Sequence, residues 1–145
     1  MSIYTPTIQG KYILLPSAVR TATQTILGNT IIDPTHSDGQ TSGINQEASG
    51  IIAYLNVTAV PGVDTVQLVL EEQDPASLVW SQVCATTATA VTGMVKLKLK
   101  QAIAAVAATT TLVQAQDTLP GIWRIRVVHS AASNFTYSLG AVIYN

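Results

Sequence analysis

Along the second two-thirds of the chain, apolar and polar residues alternate with a period of two in a series of short runs. That period puts successive side chains on opposite faces of a β-strand. Leu55, Val57 and Ala59 alternate with Asn56 and Thr58 up to the turn pair Pro61-Gly62. Thr65 to Glu72 sets Val66, Leu68 and Leu70 on one face and Gln67, Val69 and Glu71 on the other. Asp74-Pro75 closes that run, because proline has no amide hydrogen to give to a ladder. Leu78 to Cys84 predicts a strand carrying Trp80, and Met94 to Lys100 has the cleanest alternation, with Val95, Leu97 and Leu99 against Lys96, Lys98 and Lys100. Further on, Trp123, Ile125, Val127 and His129 share a face opposite Arg124 and Arg126. After the turn residues 130–134, Phe135, Tyr137, Leu139, Ala141 and Ile143 alternate with Thr136, Ser138 and Gly140. These last two runs read as a β-hairpin at the centre of the core, with Trp123 and Phe135 buried. Strands about a dozen residues apart, separated by turns, predict an all-β fold, an antiparallel β-sandwich or small barrel, over residues 50–145.

Residues 1–49 follow a different pattern. The apolar islands Tyr12-Ile13-Leu14-Leu15, Ile26-Leu27 and Ile31-Ile32 are separated by Pro6, Pro16, Gly28, Pro34, Gly39 and Gly43. They are too broken for a helix and too short for a self-sufficient layer, and read as extended chain or short edge strands. We expect an extended N-terminal arm, ordered mainly by contacts outside its own sandwich through Tyr12, Ile13, Leu14, Leu15, Ile26 and Leu27. Strand addition along a neighbour's sheet edge would satisfy its backbone. Gln101 to Gln116 is the ambiguous stretch: alanines favour helix, and Thr109-Thr110-Thr111 opposes it. The reading is one or two helical turns followed by a loop, with a longer helix as the alternative.

Composition changes this picture in one respect. Charged residues make up 10% of the 145 residues, against about 25% in an ordinary globular chain, and the mean hydropathy is +0.34. Either Thr, Ser and Gln replace charge on the surface, or much of that surface is buried against other chains. A net charge of −1 gives no bulk attraction to nucleic acid or membrane, so neither is an expected partner. No apolar run approaches the roughly 18 residues of a membrane span. Met1 to Pro6 lacks the basic and apolar regions of a secretion signal, which predicts a protein that stays in the cytosol or leaves it within something larger.

The candidate chemistry is sparse. Asp33, His36 and Asp38 fall within one short stretch, but without the spacing of a metal loop, and Asp-Pro and Ser-Asp-Gly are ordinary turn sequences. Glu71, Glu72 and Asp74 read as a solvated strand end that accepts Lys or Arg from a neighbouring subunit, since neighbours on one strand point to opposite faces and cannot flank one bond. Cys84 is the single cysteine and reads as core filler. His129, on an inward position, reads as a buried, hydrogen-bonded histidine rather than a catalytic base. No catalytic, cofactor or metal residues are therefore assigned. One charge feature stands out: Lys96, Lys98, Lys100, Arg124 and Arg126 all take outward positions. On neighbouring strands they would form a single basic stripe, either a solvated face or a docking face for an acidic surface.

Several segments resemble a family of small structural proteins of tailed bacteriophages. They are Asn56-Val57-Thr58-Ala59-Val60-Pro61-Gly62, Asp74-Pro75-Ala76-Ser77, the run from Leu119 to Ser130, and Thr136-Tyr137-Ser138-Leu139-Gly140-Ala141. They occur in the family's order and span about two-thirds of the chain. The chain departs from the pattern at Leu78-Val79-Trp80 and in the lysine-bearing strand with its Ala-rich continuation, and residues 1–49 lie outside it. The resemblance implies a non-enzymatic β-sandwich of the virion, a capsid decoration (cement) protein on the head surface. It would be synthesised in the host cytoplasm, form homotrimers, and have the major capsid protein and copies of itself as partners. The alternatives are a neck, tail or head-fibre component, or a carbohydrate-binding module. The last would require an exposed aromatic platform, and the alternation buries Trp123 and leaves Trp80 open.

Overall fold

The structure, a computed structural model, describes residues 8–28 and 48–144. The described residues form nine strands: β1 (Ile8–Arg20), β2 (Gln24–Leu27), β3 (Gly50–Ala59), β4 (Val66–Gln73), β5 (Trp80–Ala85), β6 (Gly93–Lys100), β7 (Leu112–Gln116), β8 (Trp123–His129) and β9 (Phe135–Tyr144). They make two sheets, one of five strands in the order β1-β9-β3-β6-β7 and one of four in the order β2-β8-β4-β5. The sheets pack face to face as a β-sandwich, as the alternation predicts. Inward residues of both fill the space between them, including Ile51, Leu55, Leu68, Leu70, Leu97, Leu99, Trp123, Ile125, Phe135, Tyr137 and Ile143, each 0% exposed.

The hairpin expectation fails in an instructive way. β8 and β9 are consecutive and buried on one face each, but β8 lies between β2 and β4 in the four-stranded sheet, and β9 lies between β1 and β3 in the other. The segment 130–134 crosses from sheet to sheet. Alternation specifies which face of a strand is buried, not which strand lies beside it. Two apolar faces can cover one another across the roughly 10 Å between sheets as well as line one face together.

The arm expectation also fails for residues 8–28. β1 pairs antiparallel with β9 over its length, and β2 pairs with β8, so this segment supplies one edge strand to each sheet of its own sandwich. Tyr12, Leu14, Leu15 and Ile26 pack against the core, whereas Ile13 (82% exposed) and Leu27 do not. The alternation is hidden because β1 carries register shifts at Ile8/Gly10, Ile13/Leu15 and Leu15/Ala18. Each shift inserts an unpaired residue and moves the pattern to the other face. Arg20 secures the last bulge, its guanidinium donating to the carbonyls of Pro16 (2.5 Å), Ala18 (3.2 Å) and Tyr137 (2.6 Å). The rest of the arm, and with it Asp33, His36 and Asp38, lies outside the described residues.

The Ala-rich stretch contains no helix. Ala102 adopts φ +60° after Lys100, and the chain then doubles back so that β7 pairs parallel to β6. Residues 104–109 run along the outer side of β7, with Val106 and Gln114 exchanging backbone hydrogen bonds and the Gln114 side chain donating to the Ala104 carbonyl at 3.0 Å. The threonines decide the outcome: Thr109 Oγ1 accepts from the Leu112 amide (3.1 Å) and the Thr111 amide (3.3 Å), offering the backbone a turn instead of a helical ladder. The segment covers a sheet edge that would otherwise be open.

Candidate functional site

The fold sorts the basic residues by what they meet. Arg124 and Arg126 project from the outer face of the four-stranded sheet, as β8 alternates them with buried Trp123, Ile125 and Val127. Lys96, Lys98 and Lys100 project from the outer face of the five-stranded sheet, where β6 alternates them with buried Val95, Leu97 and Leu99. The expected single stripe therefore does not exist: β6 and β8 belong to different sheets, and the two groups lie on opposite sides of the sandwich.

The two arginines share one counter-ion from their own chain. Glu71 on β4 sits beside Arg124 in the register and accepts from Arg124 Nε at 2.5 Å and Arg126 Nη1 at 3.1 Å. Sequence reasoning placed Glu71 at a solvated strand end; it is buried, and its two cations come from its own chain. The β4–β8 register that brings them together is invisible in linear order, because they are more than fifty residues apart.

The lysine face is different, and larger than expected. Lys11 on β1 stands in register with Val142, Ile52 and Lys98, so it joins Lys96, Lys98 and Lys100 on the same outer surface. Among the described residues no carboxylate pairs with any of the four. Instead Lys96 Nζ lies 5.9 Å from the Tyr54 ring and Lys100 Nζ lies 4.4 Å from the Tyr144 ring, contacts that hold a cation by the π quadrupole without cancelling its charge. Gly50 makes the second contact feasible: a Cβ there would come within 2.8 Å of Lys100 Cβ and 2.9 Å of the Leu99 carbonyl. Between the cations lie Ile52 and Val142, and Ile13 stands exposed near the edge. Alternate lysines on β6 are about 7 Å apart, a repulsion of roughly 0.6 kcal/mol per adjacent pair in water. An acidic surface laid on this face would relieve it.

A second feature lies on the opposite side. Trp80 on β5, Gln73 on β4, Arg124 with Ile122 and Trp123, and Thr25 with Leu27 on β2 line a groove of about 590 Å³. The Arg124 guanidinium lies 4.2 Å over the indole of Trp80, itself half-buried.

His129 occupies neither surface. Its Nε2 is 2.8 Å from the Tyr137 hydroxyl, and its ring meets Phe135 edge-on at 5.1 Å. Burial, and then the Arg20 guanidinium, hold its imidazole below the ordinary histidine range. The unfolded chain therefore takes up a proton at His129 near pH 6.5, before the folded chain does. Stability is expected to be unaffected by this group above that pH and to fall as pH drops below it. Melting temperature measured from pH 7.5 to 5 checks this, and His129→Gln should flatten the decline. A wild-type profile that stays level to pH 5 would show that the histidine is not a stability switch.

Comparison with known proteins adds little to this geometry. No protein-family model matches the chain, and no curated protein matches it. Among solved structures, the chain is similar to the crystal structure of the Yersinia pseudotuberculosis-derived mitogen (YPM), at 15% sequence identity and a TM-score of 0.49, over 97% of this chain and 89% of that one. At that level of likeness nothing of the mitogen's activity transfers to this chain.

Proposed function

We propose that this protein is a non-enzymatic virion component, a capsid decoration protein that docks on the outer head lattice and associates with copies of itself. The observation that carries the reading is the lysine face: four cations on a rigid sheet, unpaired by any described carboxylate, around half-buried Val142 and buried Ile52. An apolar centre with a charged surround is the anatomy of a protein interface. A flat sheet face suits an acidic capsid surface, and a sparse overall charge suits a protein that functions within an assembly. Self-association is supported by β1, which lies at the edge of the described five-stranded sheet and presents exposed Ile13 and Val19 along its run. A strand at a sheet edge is a place where a strand of another copy can add. The resemblance to phage structural proteins points the same way and favours a trimer.

The test is add-back of purified protein to capsids that lack it. Lys96→Glu with Lys98→Glu is expected to weaken binding by about a hundredfold and to flatten its salt dependence, because interfacial charges act on both affinity and encounter rate. Unchanged binding with unchanged salt dependence would remove the docking role and leave a solvated face.

A further inference from the structure

We propose that the groove on the outer face of the four-stranded sheet is a binding site for an acidic saccharide, a sugar residue carrying a carboxylate. The groove is separate from the lysine face and on the opposite side of the sandwich. Its volume of about 590 Å³ falls in the range of small-molecule sites, roughly 300 to 1,000 Å³. Its lining combines a half-buried indole with polar groups from three other strands or their flanks.

Arg124 decides the ligand class. Its Nε is engaged by Glu71, and its plane is held against Trp80 at 4.2 Å. Its two terminal nitrogens have no acceptor among the described residues. A guanidinium fixed in plane, with its terminal edge unpaired, is preorganised for a carboxylate, which it takes with two parallel hydrogen bonds. The local charge agrees: among the described residues Arg124 and Arg126 share the carboxylate of Glu71, so the pair of cations is only half compensated. One ring face of Trp80 carries the guanidinium, and the indole edge beside it gives the groove an apolar wall for the C–H groups of a sugar. Gln73 donates its amide to the Leu78 carbonyl at 2.9 Å, which leaves its oxygen for a sugar hydroxyl, and Thr25 adds a hydroxyl on the β2 side. The turn leading into Trp80 is itself strained. Leu78 adopts φ +62°, a left-handed conformation that a branched residue rarely takes, and such strain concentrates at binding sites.

The test uses the full-length protein free of any particle, so its outcome is independent of capsid docking. A trigalacturonate and a neutral maltotriose are titrated separately while the two indole N–H signals are followed by NMR. The acidic trisaccharide is expected to shift the Trp80 signal saturably and by more than that of Trp123, which lines the groove but is wholly buried. Trp80→Ala should abolish the binding, and Arg124→Lys, which keeps the charge but loses the fork, should weaken it about tenfold. Circular dichroism of each variant verifies the fold. Three results would overturn the proposal: no saturable shift up to about 10 mM, where binding is weaker than a few kcal/mol; equal affinity for the neutral sugar; or acidic-sugar binding that survives in a folded Trp80→Ala protein.

Discussion

Trp123→Ala is expected to lower the stability of the fold by about 3 to 5 kcal/mol, against a total of about 5 to 15 for a domain of this kind. Trp123 is wholly buried and is the largest of the fully buried side chains. It opens β8, whose neighbours β2 and β4 hold it on both sides, so the surroundings cannot collapse into the space without breaking ladder hydrogen bonds. Truncation therefore loses the transfer energy of the indole and leaves a cavity, and the two costs add. Phe135→Ala, in the other sheet and packed against His129 at the far end of β8, should cost a similar amount. Urea denaturation followed by circular dichroism measures both. A variant melting within a degree or two of the parent would mean that the space at that position can close.

Both residues were legible in the sequence because burial on one face of a strand leaves a period of two, and β8, β9 and β6 all carry it cleanly. Which strands become neighbours left no such trace. The lysines of β6 and the arginines of β8 have the same outward alternation, yet one set meets tyrosines and the other meets Glu71, because the strands belong to different sheets. Lys11 was overlooked for the opposite reason: it sits in a strand whose bulges erase the alternation, so only the pairing of β1 with β9 reveals that it shares a face with Lys98. The Ala-rich stretch shows the limit of intrinsic propensity. Alanine lowers the cost of a helix, but a segment that must return the chain along a sheet edge is governed by the hydrogen bonds that edge offers, and Thr109 fixes the turn. For the groove the signal was partial. Trp80 stood out as an unassigned aromatic, but its partner Arg124 comes from a distant strand and the stacking depends on the β4–β8 register.

Glu71→Ala is expected to be the most costly substitution outside the apolar core. Among the described residues Glu71 is the one carboxylate engaged by Arg124 and Arg126, and its removal leaves two cations about one residue pair apart on a partly covered face. Removing one partner of a fully buried ion pair costs about 3 to 5 kcal/mol. Here the arginine side chains keep 21% and 31% of their exposure, so water recovers part of the loss and about 2 to 3 kcal/mol is expected. If the cost comes from uncompensated charge, removing a cation as well should restore some of it. The double variant Glu71→Ala with Arg126→Ala should be more stable than the sum of the single changes by about 1 to 2 kcal/mol. Glu71→Gln separates charge from shape, since it keeps the volume and one acceptor, and it should fall between parent and Glu71→Ala. The same variants report on the groove. Without Glu71 the guanidinium of Arg124 loses the anchor on its Nε and keeps only the stack on Trp80, so the Trp80 indole N–H signal should broaden or move while that of Trp123 stays. Additive single and double variants, with an unmoved Trp80 signal, would show that Glu71 acts through packing alone and does not hold Arg124 in place.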